Sequence, residues 1–261
     1  MQASQTIDSR DGSASTTTTP RRRVIDAPTR MFHWLFALTF IGAYVTAESE
    51  HWRLLHVTLG YSFAGLFGFR LLYGLLGPRQ VGIGLLVRKL SAGPAWLRSL
   101  LASRSPFGAN WRQGQNLAMA LVTALMMSMV VPLALSGYAT YNEWGGSFIS
   151  HLLEEVHEFF GNAFLAVVLT HLGLLALLSV LRRQNQALPM ISGWQPGAGP
   201  SPVKHNRSWL AALLLFSVLA FGVWHWQTSR AGLAPGLHGE SSLDSNPPTK
   251  TRAHPHHDFD D

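Results

Sequence analysis

Residues 154–182 read EEVHEFFGNAFLAVVLTHLGLLALLSVLR. From Phe159 to Leu181 the run carries no Asp, Glu, Lys or Arg, and it exceeds the roughly 20 residues that cross a bilayer as a helix. Two imidazoles, His157 just before the run and His171 within it, stand fourteen residues apart. On an α-helix that spacing is a rise of about 21 Å and nearly four full turns, so the two face almost the same way at different depths. An imidazole inside a membrane is costly without a partner, and neutral imidazole is a common metal and haem ligand. The pair therefore serves two separate sites on one helix.

Outward from this stretch, four more segments have the length and apolarity of a membrane span: Met31–Ala47, Leu54–Leu76, Leu117–Tyr138 and Trp209–Trp226. The whole chain of 261 residues is 47% hydrophobic and 13% charged, about half the charge fraction of a soluble domain. The expected fold is an all-α integral membrane protein, with a four-helix transmembrane bundle and a fifth C-terminal transmembrane helix. Mean hydropathy is only +0.14 because polar ends dilute it. The expected divisions are a disordered N-terminus over 1–22, a four-helix domain over 23–194, a linker over 195–207, the fifth helix over 208–227 and a disordered tail over 228–261. The tail holds His254-Pro255-His256-His257-Asp258, a disordered end with at most weak metal affinity. The first span is no cleavable signal, since a long polar region precedes it. Pro132 predicts a kink in the third span, and Met126, Met127 and Met129 read as packing.

Charge is segregated by loop. Placing successive loops on alternating sides puts sixteen of the twenty basic residues, with three acids, on the side of the N-terminus; the other side has four bases and eleven acids. By the positive-inside tendency the N-terminus is cytoplasmic and the C-terminus periplasmic, in a bacterial inner membrane. This segregation, rather than one basic soluble face, explains the pI near 10.2 and argues against nucleic acid as a partner. The acid-free loop from Gly77 to Gln113 reads as a basic amphipathic stretch on the inner surface.

Two more histidines complete the set. His56 opens the second span near the outer surface, level with His157; His33 opens the first span at the inner side, with His171 inward of His157. The natural pairs are His56 with His157 and His33 with His171. The inner pair matches less closely, because His171 lies about 15 Å by helical rise before Arg182 whereas His33 is a few residues from the start of its segment. Either the first helix begins before Met31 or the fourth projects into the cytoplasm. Cysteine is absent, which removes disulfides and thioether attachment, so any haem is held by ligation alone. Gly60, Gly65, Gly68, Gly161 and Gly173 suit close approach of a bulky group. Arg70, fourteen residues after His56, and Arg30 and Arg53 near His33 and His56 are candidate propionate partners or interfacial snorkelling residues. His51, His151 and His225 read first as interfacial groups and only secondarily as quinone, metal or proton-transfer residues.

The strings Pro28-Thr29-Arg30-Met31-Phe32-His33-Trp34, Leu55-His56-Val57-Thr58-Leu59-Gly60-Tyr61, Phe69-Arg70-Leu71-Leu72-Tyr73-Gly74, Glu155-Val156-His157-Glu158-Phe159 and Met190-Ile191-Ser192-Gly193 resemble the bacterial cytochrome b561 superfamily. The b-type cytochrome subunits of nickel–iron hydrogenases are the nearest in look. The resemblance covers residues 23–194 and implies a core with two haem b groups, whose iron is ligated by His33, His56, His157 and His171. Gly114-Gln115-Asn116-Leu117 departs from the Gly-His-Asn-Pro expected there. The implied function is electron transfer across the cytoplasmic membrane between the quinone pool and a partner such as a periplasmic c-type cytochrome or a hydrogenase-like subunit. Such a chain is a respiratory subunit more than a stand-alone enzyme. A superoxide-oxidising quinone reductase of the same fold and a non-haem metal transporter or membrane anchor are the alternatives; acids confined to the rim disfavour the transporter.

Overall fold

The computed structural model describes residues 20–78, 82–102 and 110–232. In chain order these form β1 (Arg21–Arg23), α1 (Ala27–Thr46), a 3-10 turn at Glu50–Trp52, α2 (Arg53–Leu76), α3 (Ile83–Ser91), α4 (Gly93–Ala102), α5 (Trp111–Tyr141), α6 (Gly146–Leu181), α7 (Leu188–Ser192), β2 (Trp194–Pro196) and α8 (Ser208–Gly232). The His-containing tail from residue 254 lies outside the described residues.

Among the described residues four helices are long and apolar enough to cross a membrane: Glu50–Leu76, Trp111–Tyr141, Gly146–Leu181 and Ser208–Ser229. The expected first span, Met31–Ala47, drops out because Arg30, His33 and Trp34 dilute the apolar character of the first turns of α1. It is nonetheless a 20-residue helix, packed on both α2 and α8.

The ends of the helices also differ from the sequence reading. α1 begins at Ala27, four residues before Met31, because Asp26 caps it: Oδ1 accepts from the Thr29 backbone N–H at 3.3 Å, and Pro28 occupies the first turn, where its missing N–H costs nothing. α6 begins at Gly146 rather than Phe159. The stretch between the expected third and fourth spans is therefore mostly helix, and α5 and α6 join through Asn142–Gly145 alone, with Gly145 left-handed at φ 82°. α5 runs unbroken through Pro132. The acid-free loop holds two helices, α3 and α4, with Arg88 and Lys89 in the last turn of α3. The N-terminal boundary drawn at residue 22 falls inside β1, which pairs antiparallel with β2, Arg22 opposite Gln195; the Arg23 guanidinium lies 4.7 Å from the Trp194 ring centre.

Two features hold the bundle. At its centre Phe40, Phe63, Val130, Leu133 and Phe164, one or two from each of α1, α2, α5 and α6, are buried together. Phe40 and Phe164 have ring centroids 4.6 Å apart, and Phe36 stacks on Phe63 at 4.1 Å. Met126 and Met129 pack against the same cluster. At the end of the bundle that carries the β-pair, Asp26 is only 1% exposed, and its Oδ2 accepts a hydrogen bond from the Tyr73 hydroxyl on α2. Arg207, just before α8, lies near Tyr73, and the Ala27 N–H donates to the Asn206 carbonyl. One buried carboxylate thus ties α1 to α2, and the segment leading into α8 closes over it.

Removing Asp26 leaves an uncapped helix end and a buried, unpaired hydroxyl. Asp26→Ala is expected to lower stability by about 2 kcal/mol, and Tyr73→Phe by about 1 kcal/mol. Thermal unfolding of the purified variants checks both; equal midpoints for wild type and Asp26→Ala would dismiss the clamp.

Candidate functional site

The four histidines meet as two pairs, one on each side of the phenylalanine cluster. His56, in the first turn of α2, and His157, eleven residues into α6, have ring centroids 6.1 Å apart with planes at 87°. His33 on α1 and His171 on α6 lie close enough to interact electrostatically. Phe164 stands seven residues from each α6 histidine, Phe63 seven beyond His56 and Phe40 seven beyond His33. The apolar cluster therefore separates the pairs by about half of the 21 Å rise on either side. The early start of α1 narrows the depth mismatch: His33 lies six residues inside its helix, against ten from His171 to the end of α6.

Each imidazole of the first pair is oriented by a carbonyl. His56 Nδ1 lies 2.8 Å from the Ala43 carbonyl oxygen, and His157 Nδ1 lies 3.0 Å from that of Leu133. A carbonyl only accepts, so Nδ1 of each ring carries the proton and Nε2 keeps its lone pair. That is the second-shell arrangement that fixes a metal-binding imidazole. The Ser136 hydroxyl lies 3.3 Å from His157 Nδ1. The second pair is different: Nδ1 of both His33 and His171 is buried without a hydrogen-bond partner among the described residues, a state that costs about 1–3 kcal/mol per atom unless something else satisfies it.

Glycines shape the surroundings. A Cβ at Gly137 on α5 would come within 2.6 Å of His157 Cε1, so only glycine allows this imidazole against α5. Sequence reading missed Gly137, since nothing local marks it. Gly60, Gly68 and Gly173, in contrast, adjoin open space where an added Cβ meets nothing within 4 Å. This is the cradle that a planar macrocycle needs, and together with paired imidazoles it fits a bis-histidine haem on each side of the cluster.

The three candidate arginines have different surroundings. Arg30 Nη1 donates to the Ile191 carbonyl at 2.9 Å, and Trp34 Nε1 to that of Met190 at 3.4 Å, so these two residues of α1 hold α7. Gly193, left-handed at φ 82°, ends α7 within 3.0–3.4 Å of Ile25 and Arg30 for any added Cβ. Arg70 interacts with Asp26 and Tyr73, which makes it part of the clamp. Arg53 is exposed at the start of α2. Among the described residues no group of three or more His, Cys, Asp and Glu side chains converges.

Residues 24–193 match the family described as prokaryotic cytochrome b561. That span runs from just before α1 to the end of α7 and leaves α8 outside it. No curated protein and no solved structure matches the chain.

Proposed function

The chain belongs to the prokaryotic cytochrome b561 family, and from that footing we propose that it is a dihaem b-type cytochrome carrying electrons across the bacterial cytoplasmic membrane between the quinone pool and a partner redox protein. Family membership already makes it a multi-pass membrane cytochrome of electron transfer. The two haems, the quinone and the partner are the proposal, and the observation that carries it is the meeting of four histidines as two pairs at two depths.

In this reading His56 and His157 hold one haem through Nε2, and His33 and His171 hold the other. When bound, a haem held by these histidines would supply a reversible one-electron change. The chain does the rest. The Ala43 and Leu133 carbonyls hold two imidazoles in the ligating tautomer, Gly137 gives His157 its room, and the phenylalanine cluster excludes water between the pairs. With α1 crossing antiparallel to α2, the five long helices α1, α2, α5, α6 and α8 place β1, β2, α3, α4 and α7 on one side. That side carries the basic excess and is the cytoplasmic one; the α5–α6 connection faces the periplasm.

The proposed pairing makes a sharp expectation. His56→Ala and His157→Ala should each remove the same spectral component in a reduced-minus-oxidised spectrum, and His33→Ala and His171→Ala the other. Loss of different components within one pair would break the assignment. Gly137→Leu should lower the His56–His157 component selectively, because its side chain takes the space of the His157 ring; haem content equal to wild type would contradict the packing.

Glu143, Glu154, Glu155 and Glu158 are exposed at the periplasmic end of the α5–α6 hairpin, with His151 3.9 Å from Glu154. This is a docking face for a basic redox protein. Changing Glu154 and Glu155 to Gln should slow electron exchange with a basic c-type cytochrome severalfold at 0.01 M salt. The defect should shrink as the Debye length falls from about 30 Å to about 8 Å at 0.15 M. A defect of constant size across that range would assign the carboxylates to folding or proton handling instead.

A further inference from the structure

The string Gly114-Gln115-Asn116-Leu117, which departs from the pattern expected there, lies in the first turns of α5, against α3 and α4. Asn110 caps α5, its side chain accepting from the Gln113 N–H at 3.2 Å, and so sets the phase of these turns. Gln113, Asn116 and Leu117 then share one face, three and four residues apart. α4 is locked against the same turns. Trp96 Nε1 donates to the Asn110 carbonyl at 3.1 Å, and Gly114 leaves room for the indole, since a Cβ there would come within 2.5 Å of it. A Cβ at Gly93, where α4 begins, would lie 3.3 Å from Leu117.

These contacts shape a pocket of about 220 Å³ between the last turn of α3 and the first turns of α5, lined by Arg88, Lys89, Ala92, Gln113, Asn116 and Leu117. It is smaller than the roughly 300 Å³ at which drug-sized sites begin, and so suits a small charged group. Its two charges are both positive. Neither Arg88 nor Lys89 has an acidic partner among the described residues, and no Asp or Glu occurs between Glu50 and Glu143. Adjacent cations repel each other unless an anion lies between them. Arg182, just past α6, donates through Nη2 to Asn116 Oδ1 at 3.1 Å and through Nε to Gln115 Oε1 at 3.0 Å. A guanidinium accepts nothing, so Oδ1 is the atom that faces it, and the amide nitrogen of Asn116 is left to donate to a ligand. Gln113 brings a second amide.

The surroundings decide how the anion is carried. Leu121 and Leu125, both exposed, follow Leu117 at intervals of four on α5 and continue its face away from the pocket into the span. Trp111, exposed at the first residue of α5, stands at the depth where aromatic side chains mark the membrane surface. A soluble anion gains nothing from the leucine stripe, whereas an acyl chain does.

We propose that the α3–α5 pocket binds one anionic phospholipid, with its phosphate between Arg88 and Lys89, hydrogen bonds from the Gln113 and Asn116 amides, and acyl chains along Leu121 and Leu125. Basic pockets at the cytoplasmic ends of membrane helices suit such headgroups. Because α3 supplies the charges and α5 the amides, the lipid ties a surface helix to a membrane span.

The test counts lipids retained per chain by native mass spectrometry, with the full chain in neutral detergent titrated with dioleoylphosphatidylglycerol or dioleoylphosphatidylcholine. One phosphatidylglycerol per chain is expected, bound about tenfold tighter than phosphatidylcholine. Replacing Arg88 and Lys89 together by Gln should weaken it about thirtyfold, and Gln113→Leu, which changes no charge, about fivefold. Arg98→Gln, on α4 outside the pocket, should leave it unchanged. Equal affinity for the two lipids, unchanged retention in both pocket variants, or a loss in Arg98→Gln as large as in Arg88→Gln would overturn the site and leave only general surface charge. Inorganic phosphate in large excess should leave the lipid bound; displacement would show that the pocket takes a soluble anion and would overturn the phospholipid assignment.

Discussion

Contact among Phe40, Phe63 and Phe164 is the constraint on which the rest of the arrangement depends. These rings come from α1, α2 and α6, and Val130 and Leu133 of α5 close around them. Because each phenylalanine stands seven residues from a histidine on its own helix, fixing the rings against one another fixes the depth of all four imidazoles. Well-packed interiors resist displacement, so the spacing between the two pairs is a property of the core rather than of flexible loops.

The two pairs are built on different principles. His56 and His157 are oriented before any ligand arrives, each by a backbone carbonyl, and Gly137 sets how closely one of them sits against α5. His33 and His171 carry buried ring nitrogens with no partner among the described residues. The first pair has its second shell in the fold; the second has an unsatisfied demand that a ligand would meet. Nearby, Arg70 lies within electrostatic reach of Asp26. A buried carboxylate needs partners, and Tyr73, Arg70 and the Thr29 backbone N–H supply them.

α8 shows how an element outside the family span joins the bundle. Its contact with α2 does not close completely, and the Ser62 and Ser217 hydroxyls beside the gap spend their protons on helix carbonyls. Such back-bonding is ordinary for Ser and Thr in membrane helices.

The sequence alone determined the membrane class, the four histidines and their pairing by depth, because these rest on hydrophobic run length and on the 3.6-residue period. It also placed the basic amphipathic stretch over α3 and α4. It misplaced the starts of α1 and α6, since capping by Asp26 and the left-handed Gly145 outweigh local hydropathy. Only the tertiary structure decided that Arg30 and Arg70 serve α7 and Asp26, that Gly137 makes room for His157, and that Thr58 meets His225. Each of those is a contact between residues far apart in the chain, and no local pattern encodes which partner a buried polar group will find.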